Sequence, residues 1–418
     1  MAEESFTETT TESWGSRLGG SCMGAIIGLV LVIAGPCVLF WNEGRAIQLA
    51  KSLQEGAAAV NAIPADKVEP AYDGKEVYVT GPCKFEGTLQ DEQTGVSVEA
   101  AVLSREVEMY QWKETKHSTT EKQAGGSTVT RTTYDYDRGW SGQLINSADF
   151  KRAAGHTNPT EIPMTDRKFV ARPLRVGVFE LSDELVDKVS PDEAFSLTPQ
   201  QATAAAKNFK DRLSLSNGKL YIGAKATSAS GPSTMSTAGP EAAEPAIGQA
   251  PATPQIGDVR VAYHVARPKT LSVVAQQSGG KLSPFTTSVG GTIALLEAGT
   301  QTAEAMFKHE EHRANVMCWL IRGGGFLAIF IGLLMMGSPL TTFMDVLPFL
   351  GSLAGVGIGL MAFVVALALS LVSIAVGYIT YRPTFAYGLI GAALVAIALC
   401  VAKGWGKKAK SQPPTVQP

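Results

Sequence analysis

The sequence predicts a membrane protein of the α+β class, with four transmembrane helices and one large β-rich domain outside the cytoplasm. Three observations predict it. Four apolar runs, 22–41, 316–337, 349–380 and 384–401, are long enough to cross a bilayer, whose hydrocarbon needs about 20 apolar residues. Residues 42–315 between the first two runs alternate short β-type stretches with glycine turns. A basic tail, with Lys403, Lys407, Lys408 and Lys410, follows the last run.

Residues 1–21 form an acidic tail in which Arg17 is the one basic side chain. A secretory leader opens with a basic segment, so the first run reads as a retained span. The basic C-terminal tail, 402–418, places the C-terminus in the cytoplasm. Four spans then place the N-terminus there too, and 42–315 in the periplasm or an organelle lumen. Residues 46–62 have helix-forming composition and are expected at the membrane surface.

Residues 105–120 and 127–145 are β-rich and flank Gly125-Gly126, which predicts a long antiparallel hairpin. In its first strand, Val107 and Met109 point one way and Tyr110 and Trp112 the other. Tyr134, Tyr136 and Trp140 are expected to face Tyr110 and Trp112 across the ladder. These five aromatics are the candidate partner or ligand surface. The polar tip, 115–131, is expected to project into solvent. Residues 70–81 and 213–224 both place Gly-Lys before a tyrosine-bearing strand, which raises an internal duplication. Thr198, Pro199 and Gln201 predict a capped helix start. Residues 224–254 are rich in Ala, Pro, Ser and Thr and are expected to be a flexible insertion.

No chemistry-bearing constellation appears. His309 and His312 are three apart, lack two further ligands, and read as part of a charged juxtamembrane helix. Ser278-Gly-Gly-Lys281 is a turn rather than a helical S-x-x-K. No catalytic, cofactor-binding or metal-binding residue is assigned, and no cofactor. A formal net charge of −2 offers no field to attract nucleic acid. Cys22, Cys37, Cys318 and Cys400 lie in or beside spans, leaving Cys83 alone in the domain and no internal disulfide there.

Glycines four apart let helices approach closely in lipid. Gly24 and Gly28 in the first span, and Gly351, Gly355 and Gly359 in the third, are the helix-packing candidates. Trp319, Arg322, Tyr381 and Arg382 are the membrane-interface candidates, with Arg322 snorkelling to headgroups.

Several stretches together resemble one family. They are "WNEGRA" at 41–46, "VEMYQWKE" at 107–114, "INSADF" at 145–150, "GHTNP" at 155–159, "GDVRV" at 257–261, "PFTT" at 284–287, "CWLIRGGG" at 318–325 and "YRP" at 381–383. Their order resembles the LUMA family (transmembrane protein forty-three), of which this chain would be a bacterial member on the absence of glycosylation sequons. The resemblance implies a non-enzymatic organiser of membrane proteins or lipid domains that self-associates. In eukaryotic members it implies the endoplasmic reticulum and inner nuclear membrane, with emerin and lamins as partners. A bacterial member would keep only the architecture, with membrane lipids, other membrane proteins and copies of itself as partners. A membrane-anchored sensor that binds lipid or a small ligand is the alternative.

Overall fold

The computed structural model of the chain describes residues 4–202, 209, 213–224, 248–249, 253–346, 348–379 and 383–408. Four long helices dominate it: α1 (Trp14–Ala59), α2 (Ala303–Met344), α3 (Pro348–Tyr378) and α4 (Pro383–Lys408). The first three are long and apolar enough to cross a membrane. The described apolar stretch of α4, Pro383–Val395, is shorter.

Two large sheets, with two further two-stranded ones, make the domain among the described residues. The larger runs Glu4–Glu12, Thr128–Ser141, Val102–Lys122, Val259–Ala266, Lys219–Ile222, Leu213–Ser216 and Gly248–Gln249. In the smaller, Glu76–Phe85 pairs with both Leu174–Val176 and Thr270–Ser278, which closes five strands into a ring. Val77, Val79, Leu174, Phe179, Leu271 and Val273 fill the ring. Their alternation along each strand is what puts them on one face. Val259–Ala266 leads directly into Thr270–Ser278, and Arg167–Val170 into Leu174–Val176, so short turns join the two large sheets.

The predicted hairpin forms, with Lys122 opposite Thr128 and positive φ at Gly125 and Gly126. Its tip does not project freely. The Gly126 carbonyl accepts from Arg17, and Lys122 reaches Asp345 at 2.7 Å. Arg17 also reaches Asp345 at 2.7 Å, and the Trp14 indole donates to the Thr342 carbonyl. The tip is thus docked where α1 begins and α2 ends. The acidic tail is a strand too, Glu4–Glu12, paired with Thr128–Ser141.

The predicted helix at 46–62 is the last part of α1 as far as Ala59, with Asn61–Ala62 paired to Glu76–Phe85 instead. The helix runs straight on from the apolar stretch and packs on the ring, with Leu53 against Val274, Ile293, Met306 and Phe307. Thr198 and Gln201 form the expected reciprocal cap. The stretches at 70–81 and 213–224 share a turn with positive φ, at Gly74 and Gly218. They belong to different sheets, and a duplication does not follow from that turn. The insertion at 224–254 lies almost wholly outside the described residues, as do Tyr381 and Arg382.

Candidate functional site at the junction of bundle and domain

α1 and α2 run antiparallel with a repeating seam. Gly28, Gly35 and Asn42 are buried on α1, seven residues apart, and Cys318, Gly325 and Gly332 answer on α2 at the same spacing. A seven-residue repeat keeps one stripe of a helix facing its partner with slight supercoiling. A Cβ on Gly28 would meet the Gly332 carbonyl at 2.5 Å, and one on Gly35 would collide with the Ile329 side chain. Only glycine permits such an approach here. Gly325 is covered by Leu39 in the same way.

The seam ends in a polar lock. Glu43, fully buried, takes two bonds from Arg322, each 2.7 Å. Arg322 also donates to the Tyr378 hydroxyl of α3 at 3.2 Å and lies 4.8 Å from the Trp319 ring centre. Asn42 donates to the Cys318 carbonyl at 3.4 Å, and Arg45 to Asn42. Gly377 of α3 packs on Glu43. Three helices therefore meet at one bidentate ion pair. Breaking such a buried pair from one side costs about 3–5 kcal/mol, because the other charge is left alone. Arg322 does not snorkel: its side chain is 14% exposed and turned into the bundle. Its partner escapes the sequence reading because Glu43 stands just past the apolar run, where it reads as solvated.

The "VEMYQWKE" stretch forms a second network. Tyr110 and Trp140 are directly opposite, with ring centres 5.3 Å apart. Trp112 is opposite Arg138, whose guanidinium lies 4.9 Å from its ring. Tyr136 stacks on His156 at 4.1 Å, and His156 meets Trp112 edge-on. Tyr134 lies further out, against Phe6 of the tail strand. Where Val259–Ala266 stops pairing, Asn158 replaces it: its side chain accepts from the Trp112 amide at 2.7 Å and donates to the Trp112 carbonyl at 2.9 Å. It also donates to the Ile145 carbonyl, while Ser147 accepts from the Asn158 amide. So "VEMYQWKE", "INSADF" and "GHTNP" converge on one place, with Asn158 as a one-residue continuation of the ladder.

A third cluster has no counterpart among the sequence expectations. Arg105 sits on the inward face of Val102–Lys122 between Leu103 and Val107, almost fully buried. Both Asp91 oxygens accept from it, at 2.8 and 2.7 Å, and the Tyr263 hydroxyl donates to Asp91. Burial alone would raise the Asp91 carboxyl; the hydroxyl of Tyr263 and the charge of Arg105 outweigh it and hold the group below its ordinary value. Burial pushes Tyr263 far upward. The available signal is parity: an arginine in step with Leu103, Val107 and Met109 points inward.

Of the helix-packing candidates, Gly24 and Gly28 face α2, both beside Met335. Gly355 and Gly359 have nothing within 4 Å among the described residues, and the surroundings of Gly351 lie outside them. Trp319 is 68% exposed on the outer face of α2. His309 pairs with Glu297 of the domain strand Leu295–Ala298 at 3.1 Å. Among the described residues no group of three or more metal-binding side chains converges. A cleft of about 740 Å³ opens beside Met109, Asn158, Phe209, Ile222 and Val259.

Apolar helices of spanning length, packed together through a glycine seam and continuous with a β-rich domain, define an integral membrane protein of the α+β class. The chain belongs to the family described as "Transmembrane protein 43", whose model matches residues 109–383. It is 33% identical to transmembrane protein 43 of Homo sapiens over 404 residues, covering 94% of this chain and 93% of that one. It is 32% identical to that of Pongo abelii over 419 residues (97% and 94%), and 28% identical to the Drosophila melanogaster homolog over 382 (89% and 91%). No solved structure matches.

Proposed function

We propose that this chain is a non-enzymatic, self-associating organiser of membrane proteins or lipids, carried on four spans. The observation that supports it most is the continuity of α1 and α2. Each runs from an apolar stretch into the core of the domain, and the Glu43–Arg322 pair sits where they change surroundings. At 1.5 Å per residue, α1 is about 70 Å long, roughly twice the hydrocarbon thickness. Such a strut transmits position between membrane and domain with little play. The open glycine ridge of α3 offers close approach to a second copy. Native mass spectrometry of the chain in nanodiscs, with lipids identified, tests this reading. A defined oligomer is expected. The second reading, a ligand-binding sensor, has the cleft beside Met109 and Asn158 in its favour. A monomer carrying one stoichiometric lipid or small molecule would replace the first reading with the second.

The proposed orientation keeps both termini in the cytoplasm and the domain opposite, on the positive-inside argument. The tail strand bears on it directly. Glu4–Glu12, Thr128–Ser141 and the outer part of Val102–Lys122 form a sheet of Thr, Glu and Lys beside the bundle. A polar sheet with open edges does not sit in hydrocarbon. This orientation therefore requires both the tail pairing and the docking of the hairpin tip on Arg17 and Asp345 to be open when a bilayer surrounds α1. Thr10→Cys and Ser118→Cys, probed with a membrane-impermeant maleimide in sealed vesicles, are expected to react from opposite sides. Reaction from one side would overturn the orientation.

A further inference from the structure

Glu76 stands at the start of Glu76–Phe85, a strand of the ring, where Gly56 of α1 packs on it. The residue is 2% exposed, and neither carboxylate oxygen has a hydrogen-bond partner among the described residues. The cause is the close approach of α1. A Cβ on Gly56 would lie 2.8 Å from one Glu76 oxygen and closer still to the Ile293 side chain. The helix backbone is therefore laid over the carboxylate.

The groups that face it supply no countercharge. Glu55, on the same turn of α1 as Gly56, is held by the Ser288 amide and hydroxyl at 2.8 and 2.6 Å and adds a like charge. Asn61 donates to the Glu76 backbone carbonyl, not to the carboxylate. Gln276, opposite Glu76 on Thr270–Ser278, spends its amide on the Gly74 carbonyl. Ile293 is apolar. An ionised carboxylate buried this way is uncompensated, whereas the protonated form is tolerated.

We propose that Glu76 is a proton-operated joint between α1 and the domain: protonated, it lets the last turns of α1 seat on the ring, and ionised, it loosens them. The joint lies beyond the Glu43–Arg322 lock, so it regulates how firmly the strut holds the domain. The inference rests on the strut reading above only for its consequence, not for the switch itself. Burial first, and the Glu55 charge second, raise the carboxyl from 4.5 to about 7. The sign follows from proton counting. Between 4.5 and about 7 the seated form holds a proton that an opened one has released, so seating weakens as pH rises across that window and levels off above it.

Hydrogen exchange of the full chain in nanodiscs tests it, read at residues 53–60 and corrected for intrinsic exchange. Protection there is expected to fall at least about tenfold between pH 5.5 and pH 8.5, while residues 303–310 of α2 hold theirs. Glu76→Gln is expected to keep the low-pH protection at both values. Glu55→Gln, on the surface of the helix, is expected to move the midpoint to lower pH and covers the case in which the first variant does not fold. Unchanged protection in the native chain, or the same fall in Glu76→Gln, overturns the joint. Neither result touches the oligomer measurement.

Discussion

α1 and α3 carry the same kind of signal and use it differently. Both have small residues at close spacing, Gly24, Gly28 and Gly35 on one, Gly355 and Gly359 on the other. On α1, Gly28 and Gly35 are covered to the limit of contact by Gly332 and Ile329. On α3 the two glycines meet nothing among the described residues. The difference lies in the partner. α2 presents Gly325 and Gly332 at the same seven-residue interval, in antiparallel register, so four glycines interlock. A glycine ridge shows that a helix can be approached; a second ridge in phase shows by what.

That contrast can be broken most severely on α1. Gly35→Leu would drive a side chain into Ile329, and overpacking of this kind costs about 1–3 kcal/mol or more. Thermal unfolding in nanodiscs should show a clear loss. Gly355→Leu combined with Gly359→Leu is expected to change the stability of the single chain by less than about 0.5 kcal/mol, while reducing the oligomer seen by mass. Equal destabilisation at both places would remove the distinction.

Much of the fold is legible in the sequence because its signals are local. The apolar runs, the Gly125-Gly126 turn and the Thr198–Gln201 cap each need only a few neighbouring residues. The convergence of "VEMYQWKE", "INSADF" and "GHTNP" is visible as distinctive letters, but not as geometry. Nothing local says that Asn158 will replace a strand beside Trp112. The buried pairs Glu43–Arg322 and Asp91–Arg105 are harder still. Glu43 and Arg322 are far apart in sequence, and each alone reads as an interfacial charge. Asp91 lies in a short turn with no periodicity, although Arg105 betrays itself by its inward parity. The docked hairpin tip depends on Asp345, at the far end of another helix, and polar composition alone points such a tip to water.

Glu43 and Arg322 lock α1, α2 and α3 together at the domain end of the glycine seam. A double-mutant cycle with Glu43→Gln and Arg322→Gln, read by thermal unfolding in nanodiscs, tests this lock most directly. Each single change is expected to cost about 3 kcal/mol or more, because it strands a buried charge. The double variant is expected to recover part of that loss, giving a coupling of at least about 2 kcal/mol. Losses that simply add, or single variants as stable as the native chain, would contradict the lock.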